Sequence, residues 1–211
     1  MKERPILFSA PMVRAILEGH KTVTRRVVKP QPTPDRPPMI ATGLHGWDGS
    51  QFTTVRSPYG QPGDRLWVRE THAIVPRTAY ACSVGVQQVL RPDHGSDAAV
   101  FREGWERCKP CTWRPSIHMP RWASRITLEV TGVRVERLHD ITEQQAFDEG
   151  IDNHMCANAV GRSPYKMGPC TIMGFAHLWE TINGPGSWDA NPWVWVIELR
   201  RIEDGAQPCT S

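Results

Sequence analysis

The chain has 211 residues, 39% of them hydrophobic and 22% charged, with a formal net charge of +3. That is a globular composition with enough length to bury a core without disulfides or metal, and it excludes a disordered chain. The charge is too mild to argue for bulk nucleic-acid binding through a clustered basic face; the local basic cluster is Arg25, Arg26 and Lys29.

Residues 4–9 read as a first strand, with Ile6, Leu7 and Phe8 apolar. Ala10-Pro11 opens a helix, since proline suits a first turn. Met12, Val13, Ile16 and Leu17 then recur at helical spacing, and Gly19 is placed to end the helix. Residues 22–28 are rich in β-branched side chains and alternate, which predicts a strand. Residues 30–38 hold five prolines and exclude helix or central strand. The sequence from there to residue 60 reads as an extended excursion.

Pro62-Gly63-Asp64 is a turn into a strand over residues 65–73. Residues 78–91 read as a hairpin turning at Gly85, and 93–120 show little periodicity. Residues 125–138 alternate, with Gly132 suggesting a bulge. A short helix runs from Asp140 or Thr142 to Glu149 and stops at Gly150. Residues 151–169 read as irregular, 171–182 as a helix stopped by Asn183-Gly184-Pro185-Gly186, and 193–202 as a last strand.

No apolar run approaches the roughly 18 residues that a bilayer span needs. Residues 1–5 carry no apolar signal-peptide core. The expectation is a cytoplasmic protein whose cysteines, Cys82, Cys108, Cys111, Cys156, Cys170 and Cys209, are thiols. Cys108 and Cys111 form a C-x-x-C pair without a matching second pair, so no metal and no cofactor are expected.

The order of three stretches resembles the ASCH domain of the PUA-like superfamily. They are residues 15–25 with Gly19-x-Lys21-Thr22-x-Thr24, the turn at 62–66, and 125–150 followed by 193–202. The resemblance implies an α+β fold: a small twisted PUA-like β-barrel with helices at its ends and long loop insertions. The single domain would cover 1–203, with insertions near 30–60, 76–120 and 152–169, and a tail over 204–211. The insertions look like those of larger phage and prophage versions.

Some small bacterial ASCH proteins remove the acyl group from N(4)-acetylcytidine. The resemblance implies the same class of hydrolase here, acting on a non-peptide C–N amide bond, with Lys21, Thr24 and Glu149 as the catalytic set. Such hydrolysis needs a nucleophile, a proton carrier and a group that stabilises developing negative charge. Lys21 acts as a base only if its pKa falls, and Arg25 and Arg26 are near enough in sequence to help lower it. Thr24 as nucleophile, or a water with Thr24 as donor, both fit.

Thr22, Arg25 and Arg26 are expected to bind substrate. So are His118, Arg121 and Trp122, which place groups for stacking and hydrogen bonding in one loop; the competing reading has Trp122 packed under the barrel and His118 on the surface. The partner is a modified nucleoside or RNA. Alternatives are an RNA-binding module or an RNA-cleaving enzyme using the same cleft, and a phage accessory protein acting through protein contacts.

Overall fold

The computed structural model describes residues 1–32, 38–40, 53–81, 83–93, 95–106, 112–160, 162–163 and 170–202. The protein is α+β, and its chain divides into two compact units. One holds residues 1–19, 63–129 and 200–211; the other holds 20–62 and 130–199.

The first unit begins with β1 (Glu3–Leu7) and helix α1 (Ala10–Leu17). Of the stripe read from the helical spacing, Val13 and Ile16 are buried, with Ala15 beside them, while Met12 and Leu17 are partly exposed. Strand β1 runs parallel to β5 (Arg65–Arg69), with Ile6 opposite Val68. β5 pairs antiparallel with the start of β9 (Thr127–Arg137), with Leu66 opposite Leu128. Ile6, Leu66, Val68, Ile126 and Leu128 are all buried.

A three-stranded antiparallel sheet follows in the order β6 (His72–Pro76), β8 (Asp97–Phe101), β7 (Val89–Leu90). Ala98 and Val100 face one cluster with Ala73 and Val75; Ala99 and Phe101 face another with Met119 and Ala123. Both faces of β8 are therefore covered. A strand buried on both faces loses the alternation by which a half-buried strand is recognised. That is why residues 93–120 read as irregular. The hairpin predicted for 78–91 is not formed: β6 pairs with β8, and Gly85 sits in a turn between β6 and β7. The predicted strand over 65–73 is two strands, broken at Glu70-Thr71.

The second unit contains β2 (Val23–Val27), α2 (Glu143–Asp148), α3 (Asn153–Ala159), α4 (Cys170–Asn183) and most of β10 (Trp193–Ile202). Two short strands, β3 (Pro38–Ile40) and β4 (Thr53–Val55), pair in parallel. β2 lies antiparallel to β10, with Thr24 opposite Ile197 and Arg25 opposite Val196. Phe175, Ala176 and Trp179 of α4 pack with Val23, Ala146, Ile151, Val194 and Val196.

Helix α3 interrupts the stretch that read as an irregular insertion. Asp152 caps it by accepting from the Met155 N–H, and among its described side chains Cys156 and Ala159 are buried. Two buried positions are too few to show a helical period. Gly132 makes no break, because β9 runs through it. A Cβ there would stand 2.6 Å from Glu198 Oε2, the movable end of a half-exposed side chain.

Within the first unit the hydrogen-bonded order of the larger sheet is β1-β5-β9-β10, and within the second it is β9-β10-β2. Both orders are linear, so ring closure of the expected barrel is not among the described pairings. The tail over 204–211 and most of the excursion over 30–60 lie outside the described residues. No described helix is long and apolar enough to cross a membrane.

Candidate active site

Gly19 ends α1 with φ +79°, a backbone conformation that favours glycine. The chain then passes through Lys21 and Thr22 into β2. Thr22 is itself exposed, but its backbone is tied on both sides: its N–H donates to Asp148 O at 2.9 Å, and its carbonyl accepts from the Leu199 N–H at 2.7 Å. The first bond lays the start of β2 against the end of α2, and the second ties it to β10.

That helix is short and well capped. The Thr142 hydroxyl accepts from the Gln145 N–H, and the Gln145 side chain accepts from the Thr142 N–H, a reciprocal capping box. Glu149 occupies the C-terminal cap, and Gly150 follows at φ +87°. The turn aims the Glu149 carboxylate into the protein, where the residue is only 4% exposed.

Lys21 meets it there. Lys21 Nζ donates to Glu149 Oε2 at 2.6 Å, to the Glu149 carbonyl at 2.9 Å and to the Val23 carbonyl at 2.8 Å. An ammonium has three N–H groups, so each has an acceptor. Burial of Lys21 lowers its pKa, partly offset by the Glu149 carboxylate, and Arg26 and Arg25 lower it further.

Arg25 completes the cluster. Its Nη1 stands 3.4 Å from Glu149 Oε1, and Nη2 donates to Gln145 Oε1 at 2.7 Å and lies 3.6 Å from Glu136 Oε2. Its guanidinium carbon is 5.9 Å from the centre of the Phe175 ring. Burial also pulls the Arg25 pKa down, against the opposing pull of Glu149 and Glu136. Two cations thus face two carboxylates, and the side chains of Lys21, Arg25 and Glu149 are 0%, 0% and 3% exposed. Gln145 and Glu136 escaped the sequence reading. Only Gln145 left a signal there, as the fourth residue of Thr142-x-x-Gln145.

Of the predicted catalytic set, Lys21 and Glu149 come together from 128 residues apart. Thr24 does not join them. Successive strand residues point to opposite faces, so Thr24 and Arg26 face away from Val23 and Arg25. Among the described residues no hydrogen bond links Thr24, itself 2% exposed, to Lys21 or Glu149.

His118, Arg121 and Trp122 belong to the first unit. His118 is exposed. Arg121 is held by Glu3, with Nε at 3.0 Å from Oε2 and Nη2 at 3.3 Å from Oε1. Trp122 packs against Ala99, Phe101, Met119 and Ala123, which is the competing packing role. Cys82, His94, Cys108 and Cys111 lie outside the described residues. Among the described residues no group of three or more His, Cys, Asp or Glu is placed to hold a metal. Comparison of the chain with protein-family models, with characterised proteins and with solved structures finds no match.

Proposed function

We propose that the chain is an amidohydrolase that removes an N-acyl group from a modified cytosine nucleoside or base, on a sheet that belongs to a PUA-like barrel. One observation carries the reading. Lys21 and Glu149, which the family resemblance singles out from distant parts of the sequence, form a buried pair at 2.6 Å.

In this mechanism water adds its oxygen to the acyl carbon. Glu149 takes the proton from that water and passes it to the departing exocyclic nitrogen as the C–N bond breaks, leaving a carboxylic acid and the free amino base. Lys21 pairs with the Glu149 carboxylate beforehand and donates to the oxyanion as it develops. Arg25 orients the second carboxylate oxygen. Because all three Lys21 N–H groups have partners, the substrate carbonyl enters by replacing one of the two backbone acceptors. Thr22, exposed just before β2, serves as a substrate contact.

The same burial favours a second reading. A lysine with every N–H satisfied inside the protein also serves as a pin between β2 and α2, and the chain is then a PUA-like RNA-binding module without turnover. One experiment separates the two. The protein is incubated with N(4)-acetylcytidine, and cytidine and acetate are followed by chromatography. Turnover that falls by about 10²–10⁴-fold in Glu149→Gln supports the hydrolase. A folded wild-type protein that releases no acetate sinks it, and salt-dependent RNA retention by that protein then supports the module.

A further inference from the structure

The first unit holds a cleft of about 320 Å³ that the proposed chemistry does not use. That volume lies at the lower end of small-molecule sites, about 300–1,000 Å³, so it suits one small ring system and not a polymer.

Its floor is built around Arg125, whose side chain is 7% exposed. Glu70, 3% exposed, grips that guanidinium with both oxygens at 2.9 Å. The guanidinium also lies 4.2 Å from the centre of the Phe101 ring. Arg125 is therefore already neutralised and stacked, and it acts as an anchor for the lining. Its Nη1 donates to Gln87 Oε1 at 2.8 Å, and its Nη2 reaches the Glu103 carbonyl at 3.5 Å.

Two consequences follow. An arginine can only donate, so the Gln87 carbonyl oxygen must face it, and the Gln87 NH₂ group turns the other way as a donor. Glu103 gives Oε1 to Arg14 Nε at 2.7 Å and keeps Oε2 as an acceptor. A donor on Gln87, held by Arg125, and an acceptor on Glu103, held by Arg14, thus line the same cleft. Trp105 forms an aromatic wall, fixed by edge contacts with Tyr80 at 4.9 Å and Trp113 at 5.5 Å. The charged lining groups, Arg14 and Arg125 against Glu18 and Glu103, cancel.

We infer that this cleft binds a small, neutral, planar ring amide: a heterocycle whose N–H gives to Glu103 and whose adjacent carbonyl accepts from Gln87, with its face on Trp105. Phosphate and carboxylate ligands are disfavoured, because no uncompensated cation lines the cleft.

Ligand-observed NMR on the full chain tests this with 2-pyridone, uracil, N-methyl-2-pyridone, uridine and uridine 5′-monophosphate. 2-Pyridone and uracil should bind. N-methyl-2-pyridone lacks the N–H and should bind about fivefold or more weakly, the size of one lost hydrogen bond. Gln87→Leu should weaken 2-pyridone by a similar factor, and Gln87 is exposed, so the variant folds. Lys21→Ala should leave 2-pyridone binding unchanged, which keeps this site apart from the proposed active site. The inference is overturned by equal binding of the N-methyl compound, by unchanged binding in Gln87→Leu, by tighter binding of the monophosphate than of uridine, or by no binding at about 10 mM, beyond the range in which a specific small-ligand site is useful.

Discussion

Lys21→Met replaces an ammonium by an unbranched side chain of similar length, and it isolates what the buried pair contributes. The substitution leaves the Val23 and Glu149 carbonyls and Glu149 Oε2 without their donor, at a place where the flanking side chains are 0% and 3% exposed. Removing one partner of a buried ion pair costs about 3–5 kcal/mol, because the other charge stays buried. Here Arg25 Nη1 remains 3.4 Å from Glu149 Oε1 and keeps part of the compensation. The expected loss is therefore at the lower end, about 3 kcal/mol. Urea unfolding at pH 7, followed by circular dichroism, reads it directly. With a slope of about 2 kcal/mol per molar urea, the midpoint should fall by about 1.5 M with the slope unchanged. The double variant Lys21→Met/Glu149→Leu should lose less than the sum of its singles, by about 0.5–3 kcal/mol. A midpoint within about 0.3 M of wild type, a shift that corresponds to an exposed pair, would refute the reasoning. So would strict additivity of the two singles.

Gln145→Leu removes both the capping-box acceptor of α2 and the neutral partner of Arg25, and thermal unfolding should show a loss of about 2 kcal/mol, as for a hydrogen bond to a charged group. Gly174→Ala should destabilise by about 1–2 kcal/mol, because its Cβ would lie 2.8 Å from the buried Ile151 Cγ2. Gly132→Ala should cost less than about 1 kcal/mol despite a 2.6 Å approach, since the atom met is the end of the half-exposed Glu198 side chain, which can swing away. His72 is fully buried, with Nδ1 3.2 Å from the Glu70 carbonyl and Nε2 without a partner among the described residues; burial, opposed by the Glu70 carbonyl and aided by Arg114, Arg69 and His118, lowers its pKa below 6.5. Its folded form binds a proton less readily than the unfolded chain, so its contribution is complete above the unfolded value and is lost as pH falls from 6.5 through the folded value. Urea midpoints measured from pH 8 to pH 5 should decline less steeply in His72→Gln.

The elements that were legible are those with one buried face and a marked end. Helix α1, with its proline start and Gly19 stop, lies within a residue or two of its predicted bounds, and β10 coincides with the strand read over 193–202. β8 and α3 were not legible, one because it is covered on both faces and the other because its buried positions are too few. The candidate site divides in the same way. Lys21 and Glu149 were named through the family pattern, and their pairing is long-range. The part played by Gln145 depends on the register between α2 and β2, which no local spacing encodes. The Glu70–Arg125 pair left no sequence signal: both residues border strands whose pairing partners lie about 60 residues away.

The alternation of β2 bears directly on which nucleophile the proposed hydrolysis uses. Five consecutive pairs with β10, from Val23 opposite Glu198 to Val27 opposite Val194, fix the register. A slip by one residue would exchange the two faces completely. It would bury Arg26 in place of Arg25 and take away the contacts to Glu149, Gln145 and Phe175 together, so the register resists change. In that register Val23 points into the cluster of Ala146, Phe175 and Val196, and Arg25 reaches Glu149 on the same side. Thr24 must then present its hydroxyl to the other side. A nucleophile has to stand within hydrogen-bond reach of its base, about 2.6–3.2 Å. The Thr24 hydroxyl makes no hydrogen bond to either Lys21 or Glu149. We propose on this geometry that a water is the nucleophile, since Thr24 lies on the opposite face of β2 from Arg25.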